Sequence, residues 1–191
     1  MSRAVRRFLD AAGLALEGEL VGTPERVAEA WARDFLDGYR VGAAEALGPL
    51  LPAAGAGLVC VTGLDFHSTC PHHLLPYRGL AHVAYLPGEG VVGFSRIGRL
   101  VDALAHRLLL QEVLAREIAD ALHEGTGARG AGCVLETEQA CLTCRGHARA
   151  RARTTSEAFV GELEREAGLR QELHRAIAAG ALPLPPREVA P

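Results

Sequence analysis

Histidine and cysteine are concentrated in two short segments of this sequence, residues 67–73 (HSTCPHH) and residues 141–144 (CLTC). Zinc binds to Cys thiolates and His nitrogens in sets of three or four. Cys70 and His73 have the spacing of metal ligands, and the second segment can supply a further thiolate. The pattern therefore predicts a metal site built from two distant parts of the chain.

Two kinds of zinc site fit these residues. In a structural site, Cys70, His73, Cys141 and Cys144 would all bind the ion, whereas in a catalytic site three protein ligands leave a fourth position for water. If the strand before Cys141 continues through Cys144, the two cysteines point to opposite faces, and Gln139 shares a face with Cys141. A continuous strand therefore favours Cys141 as the only ligand from this segment, with Cys144 as packing. A turn of the chain there would allow both cysteines to bind.

Polar residues interrupt a helical pattern in the middle of the chain. Apolar residues recur at helical spacing over residues 97–122, which predicts a helix. The stripe then meets Gln111 and Glu112. Polar residues at this phase indicate either a break in the helix or buried polar groups that have partners. In the second case, the carboxylate and amide would suit a ligand that presents N–H donors.

Arginines lie close to these candidate residues in the sequence. Arg145 follows the second cysteine segment, and Ser95, Arg96 and Arg99 lie where a predicted strand gives way to a helix. Helix N-termini offer free N–H groups, and guanidinium groups bind anions with two hydrogen bonds, so these residues predict an anion site. Residues 147–153 place alternate arginines on one face of a predicted strand, for which a solvated surface and an anion site are both open.

The elements that must position these residues predict an α+β fold with an antiparallel sheet. Helices are predicted at residues 3–15, from Thr23, at 97–122 and at 163–179, and strands at 58–66, 80–86, 91–94, 132–138 and 146–160. We expect an N-terminal helical segment (1–57), a catalytic domain (58–180) and a proline-rich tail (181–191).

Composition excludes several classes of function. The chain has 191 residues, of which 49% are hydrophobic, and a formal net charge of -3, so it can bury a core and has no strong field for nucleic acid or anionic membrane. All 20 basic residues are arginine, which excludes a Walker-type phosphate loop and a lysine Schiff base. Five cysteines, no apolar stretch near 18 residues and no signal-peptide pattern predict a reduced, cytoplasmic protein.

Several motifs, taken in order, resemble those of the GTP cyclohydrolase I family. The matching segments are residues 23–26 (TPER), 70–76 (CPHHLLP), 93–97 (GFSRI), 111–112 (QE) and 141–146 (CLTCRG). The resemblance extends over roughly residues 14–173. It implies a tunnelling fold, in which antiparallel sheets with helices packed on one face join between subunits into an oligomeric barrel, usually a decamer.

The resemblance also implies a reaction and its participants. The family opens the imidazole ring of GTP at C8, releases formate and forms 7,8-dihydroneopterin triphosphate for folate and pterin biosynthesis. By position, Zn2+ would be held by Cys70, His73 and Cys141, and His72 would transfer protons. Guanine recognition would fall to Glu112 with Gln111, and triphosphate binding to Arg26, Ser95, Arg96, Arg99 and Arg145, with Ser95 also acting in the later rearrangement.

Three positions depart from the family pattern. Pro71 replaces a usual Glu, Arg96 replaces a usual Lys and keeps the charge, and Gln139 stands where a second catalytic histidine is usual. Glutamine cannot exchange a proton near pH 7, so His147 or His67 would have to substitute. The alternatives are the same fold with altered chemistry, such as ring opening without cyclisation or another purine or pterin substrate, or a non-catalytic purine- or pterin-binding protein with structural zinc.

Overall fold

The structure is a computed structural model, and it describes residues 1–53, 57–145 and 149–180. Its helices are α1 (Ser2–Ala11), α2 (Thr23–Ala30), α3 (Ala43–Leu47), α4 (Phe94–Ala105), α5 (Gln111–Thr126), α6 (Ala140–Thr143), α7 (Glu162–Arg165) and α8 (Ala167–Gly180). Its strands are β1 (Leu51–Pro52), β2 (Val59–Thr69), β3 (Pro76–Leu86), β4 (Gly90–Val91), β5 (Gly130–Gln139) and β6 (Thr154–Gly161). A π-helical turn (Trp31–Phe35) and a 3-10 turn (Asp37–Arg40) follow α2.

The central feature is a four-stranded antiparallel sheet in the order β2-β3-β5-β6, which confirms the predicted α+β class. Helices α4 and α5 cover one face, where residues such as Ile97, Ile118 and Leu135 form the main core. The other face is also covered at one end, because Ala84 and Val134 point there and a second apolar cluster forms with α7 and α8. Apolar residues on both faces of a strand require cover on both sides.

Strand β2 changes its buried face partway along its length. Its register with β3 shifts between Val61 and Leu64, so that two residues of β2 face one residue of β3. Gly63 has a φ of 74° at this bulge, a conformation that favours glycine. Because of the extra residue, odd-numbered positions before the bulge and even-numbered positions after it reach the main core.

The helix predicted over residues 97–122 is two helices, α4 and α5, with a break at residues 106–110. This intervening segment runs along the end of the sheet instead of continuing the helix. Ser68 Oγ donates to the Arg107 carbonyl at 3.3 Å, and Tyr77 Oη donates to the Leu109 carbonyl at 3.2 Å. Tertiary hydrogen bonds therefore replace helical ones, and Gln111 becomes the first residue of a new helix.

Other predicted bounds also change. Strands β2 and β3 extend to Thr69 and from Pro76, which shortens the loop between them to residues 70–75. The predicted strand at residues 91–94 is wrong beyond Val91, because Phe94 opens α4.

The edge strand β6 begins only at Thr154. The alternation of arginines predicted for a strand over residues 149–153 is therefore wrong. Helices α7 and α8 replace one predicted closing helix. Residues 146–148, including His147, and the predicted tail at 181–191 lie outside the described residues.

Candidate active site

The first histidine–cysteine segment forms the loop of the β2–β3 hairpin. The loop is closed by two backbone hydrogen bonds, from the Cys70 N–H to the Leu75 carbonyl and from the Leu74 N–H to the Cys70 carbonyl, each 2.9 Å. Leu74 takes a positive φ of 53°, which is uncommon for a residue with a side chain. The loop buries Cys70 and leaves His72 and His73 exposed at the end of the sheet.

Strand pairing brings the second cysteine segment to the same end of the sheet. Tyr77, just after the hairpin loop, pairs with Gln139, the last residue of β5. The chain then turns into α6, where Thr143 Oγ1 donates to the Gln139 carbonyl at 3.1 Å. The expectation that the strand continues through Cys144 is therefore wrong, since α6 begins at Ala140.

Three potential metal ligands meet where the loop and α6 come together. The ligand atoms of Cys70, His73 and Cys141 all lie within 4.8 Å of one another. This group does not include Cys144, which is exposed. The structure thus gathers the three predicted ligands, although the strand geometry that favoured Cys141 alone is not the reason. Two thiolates and an imidazole are the donor set that zinc prefers.

A buried tyrosine lies beside this cluster. Tyr77 lies in the main core, and Tyr77 Oη donates to the Leu109 carbonyl. Burial raises the pKa of Tyr77 to about 12, a hydrogen bond with Ser68 opposes the change, and negative charge at Cys70 and Glu112 adds to it. Tyr77 therefore remains a neutral phenol near pH 7. Glu112 is exposed, and its carboxylate is close enough to Tyr77 to act on the pKa of the phenol.

Gln111 satisfies both explanations offered for a polar residue on an apolar stripe. The helix breaks before it, and its side chain is buried, with 4% exposed. Its Nε2 donates to the Leu135 carbonyl at 2.9 Å, and its Oε1 accepts from Gln139 Nε2, also at 2.9 Å. Gln111 and Gln139, predicted from different motifs, are thus in direct contact.

Two predicted anion-binding arginines lie elsewhere on the chain. Arg96 and Arg99 line a cavity of about 420 Å³ that also contains carboxylates of Asp37 and Asp102. None of the three candidate metal ligands lines this cavity. Burial raises the pKa of Asp102, while His106 and His67 oppose the change.

The remaining predicted anion-binding residues are dispersed as well. Ser95 is exposed in the first turn of α4, and Arg145 is exposed just after Cys144. Arg26 donates hydrogen bonds to the Val21 carbonyl at 3.0 Å and the Glu19 carbonyl at 3.1 Å, and to Thr23 Oγ1 at 2.8 Å. The role of Arg26 in substrate binding stays a prediction, because its guanidinium donates hydrogen bonds to residues of its own segment.

His67, one of the two proposed substitutes for a second catalytic histidine, contacts the π-helical turn Trp31–Phe35 and His106. Its Nε2 lies 2.8 Å from the Asp34 carbonyl, and its ring centroid lies 4.4 Å from that of His106.

Two residues that sequence reasoning missed, Thr137 and Thr154, contact Gln111. Thr137 shares a strand face with Gln139, two positions on, and this offset was the available signal.

Known proteins match this chain over almost its full length. A family model described as GTP cyclohydrolase I matches residues 1–178. The relative named GTP cyclohydrolase 1 from Chromobacterium violaceum is 44% identical over 92% of this chain and 85% of its own. Relatives of the same name from Ralstonia nicotianae and Leifsonia xyli subsp. xyli are 43% and 45% identical, over 91% and 85% of this chain and 84% and 85% of their own.

Among solved structures, the apo form of the archaeosine synthase QueF-Like aligns with 56% of this chain and 96% of its own. Its TM-score is 0.47 at 17% identity, which is too low to support an inference. No helix in the described part of the chain is both long and apolar enough to cross a membrane. From the full-length family match and the identity to these relatives, we conclude that this chain belongs to the GTP cyclohydrolase I family and is a GTP cyclohydrolase I-like enzyme.

Proposed function

We propose that this chain uses Zn2+ to open the imidazole ring of GTP at C8, releases formate and forms 7,8-dihydroneopterin triphosphate. The observation that carries the proposal is the convergence of Cys70, His73 and Cys141 within 4.8 Å at the end of the sheet. Three ligands of this kind leave a coordination position for water, as catalytic zinc sites require. The exposed hairpin loop leaves that end of the sheet accessible to a nucleotide.

The donor set fits zinc better than the metals that prefer oxygen ligands. When bound, zinc would supply a Lewis acid that lowers the pKa of water toward ~7. Cys70 and Cys141 would hold it from a buried and a half-buried position, and His73 from the exposed loop. Cys144 would remain outside the ligand set.

Proton transfer falls to His72 in this proposal. The side chain is exposed in the hairpin loop, and its ring centroid lies 6.2 Å from that of His73. Histidine is the side chain best suited to give and accept protons near neutral pH. His72 would therefore protonate a purine nitrogen while its neighbour holds the metal.

Guanine would be recognised by Glu112, whose carboxylate is exposed next to Gln111. The triphosphate would meet Ser95 and the arginines, which offset a charge that a net-negative chain cannot offset overall. Since the cavity of Arg96 and Arg99 contains none of the metal ligands, we propose that the complete site forms between copies of this chain. The assembly would be a homo-oligomer, a decamer by family resemblance, working in the cytoplasm.

Product analysis tests the reaction directly. Purified, zinc-loaded protein is incubated with GTP, and we expect formate together with a pterin that fluoresces after oxidation. A preparation stripped of metal by a chelator is the matched control, and it should release neither product until zinc is restored. Intact GTP in the presence of stoichiometric zinc would overturn the proposal.

Gln139 supports one alternative outcome, because it removes a proton-exchanging group that the family usually has beside the metal. The same fold would then open the ring without completing the cyclisation. Mass spectrometry distinguishes the two reactions. A formylated, ring-opened nucleotide that accumulates without free formate would favour the alternative, and free formate in step with the pterin would exclude it.

A further inference from the structure

Four polar side chains form a connected hydrogen-bond ring where β5 and β6 meet the start of α5. We call this set, Gln111, Thr137, Gln139 and Thr154, the polar ring. Oxygen Oε1 of Gln111 is the common partner, at 2.7 Å from Thr154 Oγ1, 2.8 Å from Thr137 Oγ1 and 2.9 Å from Gln139 Nε2. Gln111 and Thr137 are buried, so water does not compete for these contacts.

The backbone fixes which way the Gln111 amide points. Its Nε2 lies 2.9 Å from the Leu135 carbonyl and 3.3 Å from the Thr154 carbonyl. Carbonyl oxygens only accept hydrogen bonds, so the NH2 group must face them. The Oε1 atom of Gln111 therefore faces the other three members of the polar ring as an acceptor.

The orientation of Gln139 follows from that of Gln111. Its Nε2 donates one proton to Gln111 Oε1 and the other to Thr137 Oγ1 at 3.2 Å. The hydroxyls of Thr137 and Thr154 donate to the same Gln111 Oε1, at 2.8 Å and 2.7 Å. Each side-chain N–H and O–H proton of the polar ring then has an acceptor.

This arrangement leaves the carbonyl oxygen of Gln139 as the free end of the side chain. Within the described residues, the Gln139 side chain makes two hydrogen bonds, and its nitrogen Nε2 makes both of them. Gln139 is half-buried and lies two residues before Cys141. Turning the amide over would set one oxygen against another at Gln111, which is unfavourable in a buried site.

We propose that the polar ring is a positioning device that fixes Gln139 with its oxygen outward, as an acceptor for a hydrogen-bond donor of the bound purine. Gln111 would then be a positioning residue that acts through Gln139 and does not touch the substrate. Thr137 and Thr154 serve the same purpose. The identity of the purine rests on the proposed function, whereas the orientation of Gln139 does not.

The sequence makes the orientation directly measurable. Gln111, Gln139 and Gln171 are the only glutamines, and there is no asparagine, so only three side-chain amides carry an NH2 group. With 15N-labelled glutamine, we expect the NH2 protons of Gln111 and Gln139 to exchange with solvent at least about tenfold more slowly than those of the exposed Gln171. Thr137→Val should accelerate exchange at Gln139 and leave Gln171 unchanged. A wild-type Gln139 amide that exchanges as fast as Gln171 would overturn the proposal.

A double-mutant cycle tests whether Gln111 acts through Gln139. Gln111→Met and Gln139→Leu should each lower kcat by about tenfold, and the double variant should lose no more than the stronger single variant. Gln111→Met should leave KM for GTP unchanged. Losses that multiply, or a rise in KM for Gln111→Met, would mean direct contact with substrate and would contradict the proposal.

Folding and function are controlled separately. Thermal unfolding and bound zinc are measured for every variant. If Gln111→Met does not fold, Thr137→Val replaces it in the cycle, and its loss in kcat should disappear in the Gln139→Leu background. Wild-type protein that releases no formate would refute the proposed function, while amide exchange would still decide whether the polar ring orients Gln139.

Discussion

The cluster of candidate metal ligands and the arginine-lined cavity are assembled in different ways. Cys70, His73 and Cys141 come together because strand pairing aligns the hairpin loop with the end of β5. Arg96 and Arg99 share a separate cavity with carboxylates of their own chain. One chain therefore gathers the three candidate metal ligands, whereas Arg96 and Arg99, which are proposed to hold a triphosphate, line a cavity that contains none of them. This difference is what the proposed assembly between copies would resolve.

The largest expected effect comes from removing a metal ligand. Cys141→Ala should lose bound zinc and reduce formate release by more than about a hundredfold, because changes to outer partners of a metal site already cost 10–100-fold. Metal analysis of the purified variant and a formate assay measure both effects. Cys144→Ala is the matched control from the same turn and should keep both metal and activity. Loss of zinc in Cys144→Ala would instead indicate a four-ligand structural site.

The next effect concerns the missing proton-exchanging group. If position 139 is a weakened catalytic position, Gln139→His should raise the rate of formate release by about tenfold or more, since general acid–base catalysis contributes 10²–10⁴-fold. Gln111 Oε1 would accept an N–H of the new imidazole and leave its other nitrogen free. Formate release is measured with zinc content held equal. An unchanged or lower rate would show that this protein uses its own arrangement.

A smaller effect should distinguish an arginine that binds the triphosphate, Arg99, from one that stabilises its own segment, Arg26. Arg99→Ala should raise KM for GTP about tenfold, because a hydrogen bond to a charged group contributes roughly 1.5–3 kcal/mol. Arg26→Ala is the informative comparison, since Arg26 donates three hydrogen bonds within its own segment. We expect Arg26→Ala to lower the unfolding temperature more than it raises KM. A KM increase as large as that of Arg99→Ala would assign Arg26 to the substrate.

The sequence predicted local chemistry better than it predicted the geometry of the chain. Ligand type and spacing pointed to Cys70 and His73 and left Cys141 and Cys144 both open, and the family resemblance implied Cys141. The turn at α6 was missed, because the extended pattern before Gln139 gives no signal of where pairing stops. The break before Gln111 was an open alternative, and its cause lies in Ser68 and Tyr77, which are distant in sequence. Contacts of this kind are set by strand register, which periodicity does not specify.

The same limit explains why the polar ring was not foreseen. Gln111 and Gln139 were selected from separate motifs, and Thr154 lies on a third element. Only the pairing of β5 with β6, which sets Thr137 opposite Thr154, brings the hydroxyls together. A single sequence indicates that a polar residue occupies a buried phase, but it does not say which residues satisfy it.

The smallest expected effect lies in the sheet, away from both regions. His82 is buried opposite the β2 bulge, where its Nδ1 lies 3.3 Å from the Gly63 N–H. Burial holds the pKa of His82 below its usual value, although Glu136 opposes the change. The unfolded chain therefore binds this proton more readily than the folded one. The stability contribution is complete above the unfolded pKa of about 6.5 and falls as the pH drops toward the lower folded pKa, by at most ~1.4 kcal/mol per pH unit.

His82→Asn tests this origin of pH dependence, because Asn keeps an acceptor for the Gly63 N–H and removes the titration. Urea unfolding at about pH 8 and about pH 5.5, at one protein concentration, gives the loss of unfolding free energy on acidification. We expect a smaller loss for His82→Asn than for the wild type, with zinc content unchanged. An equal loss in both proteins would contradict the assignment of this acid sensitivity to His82.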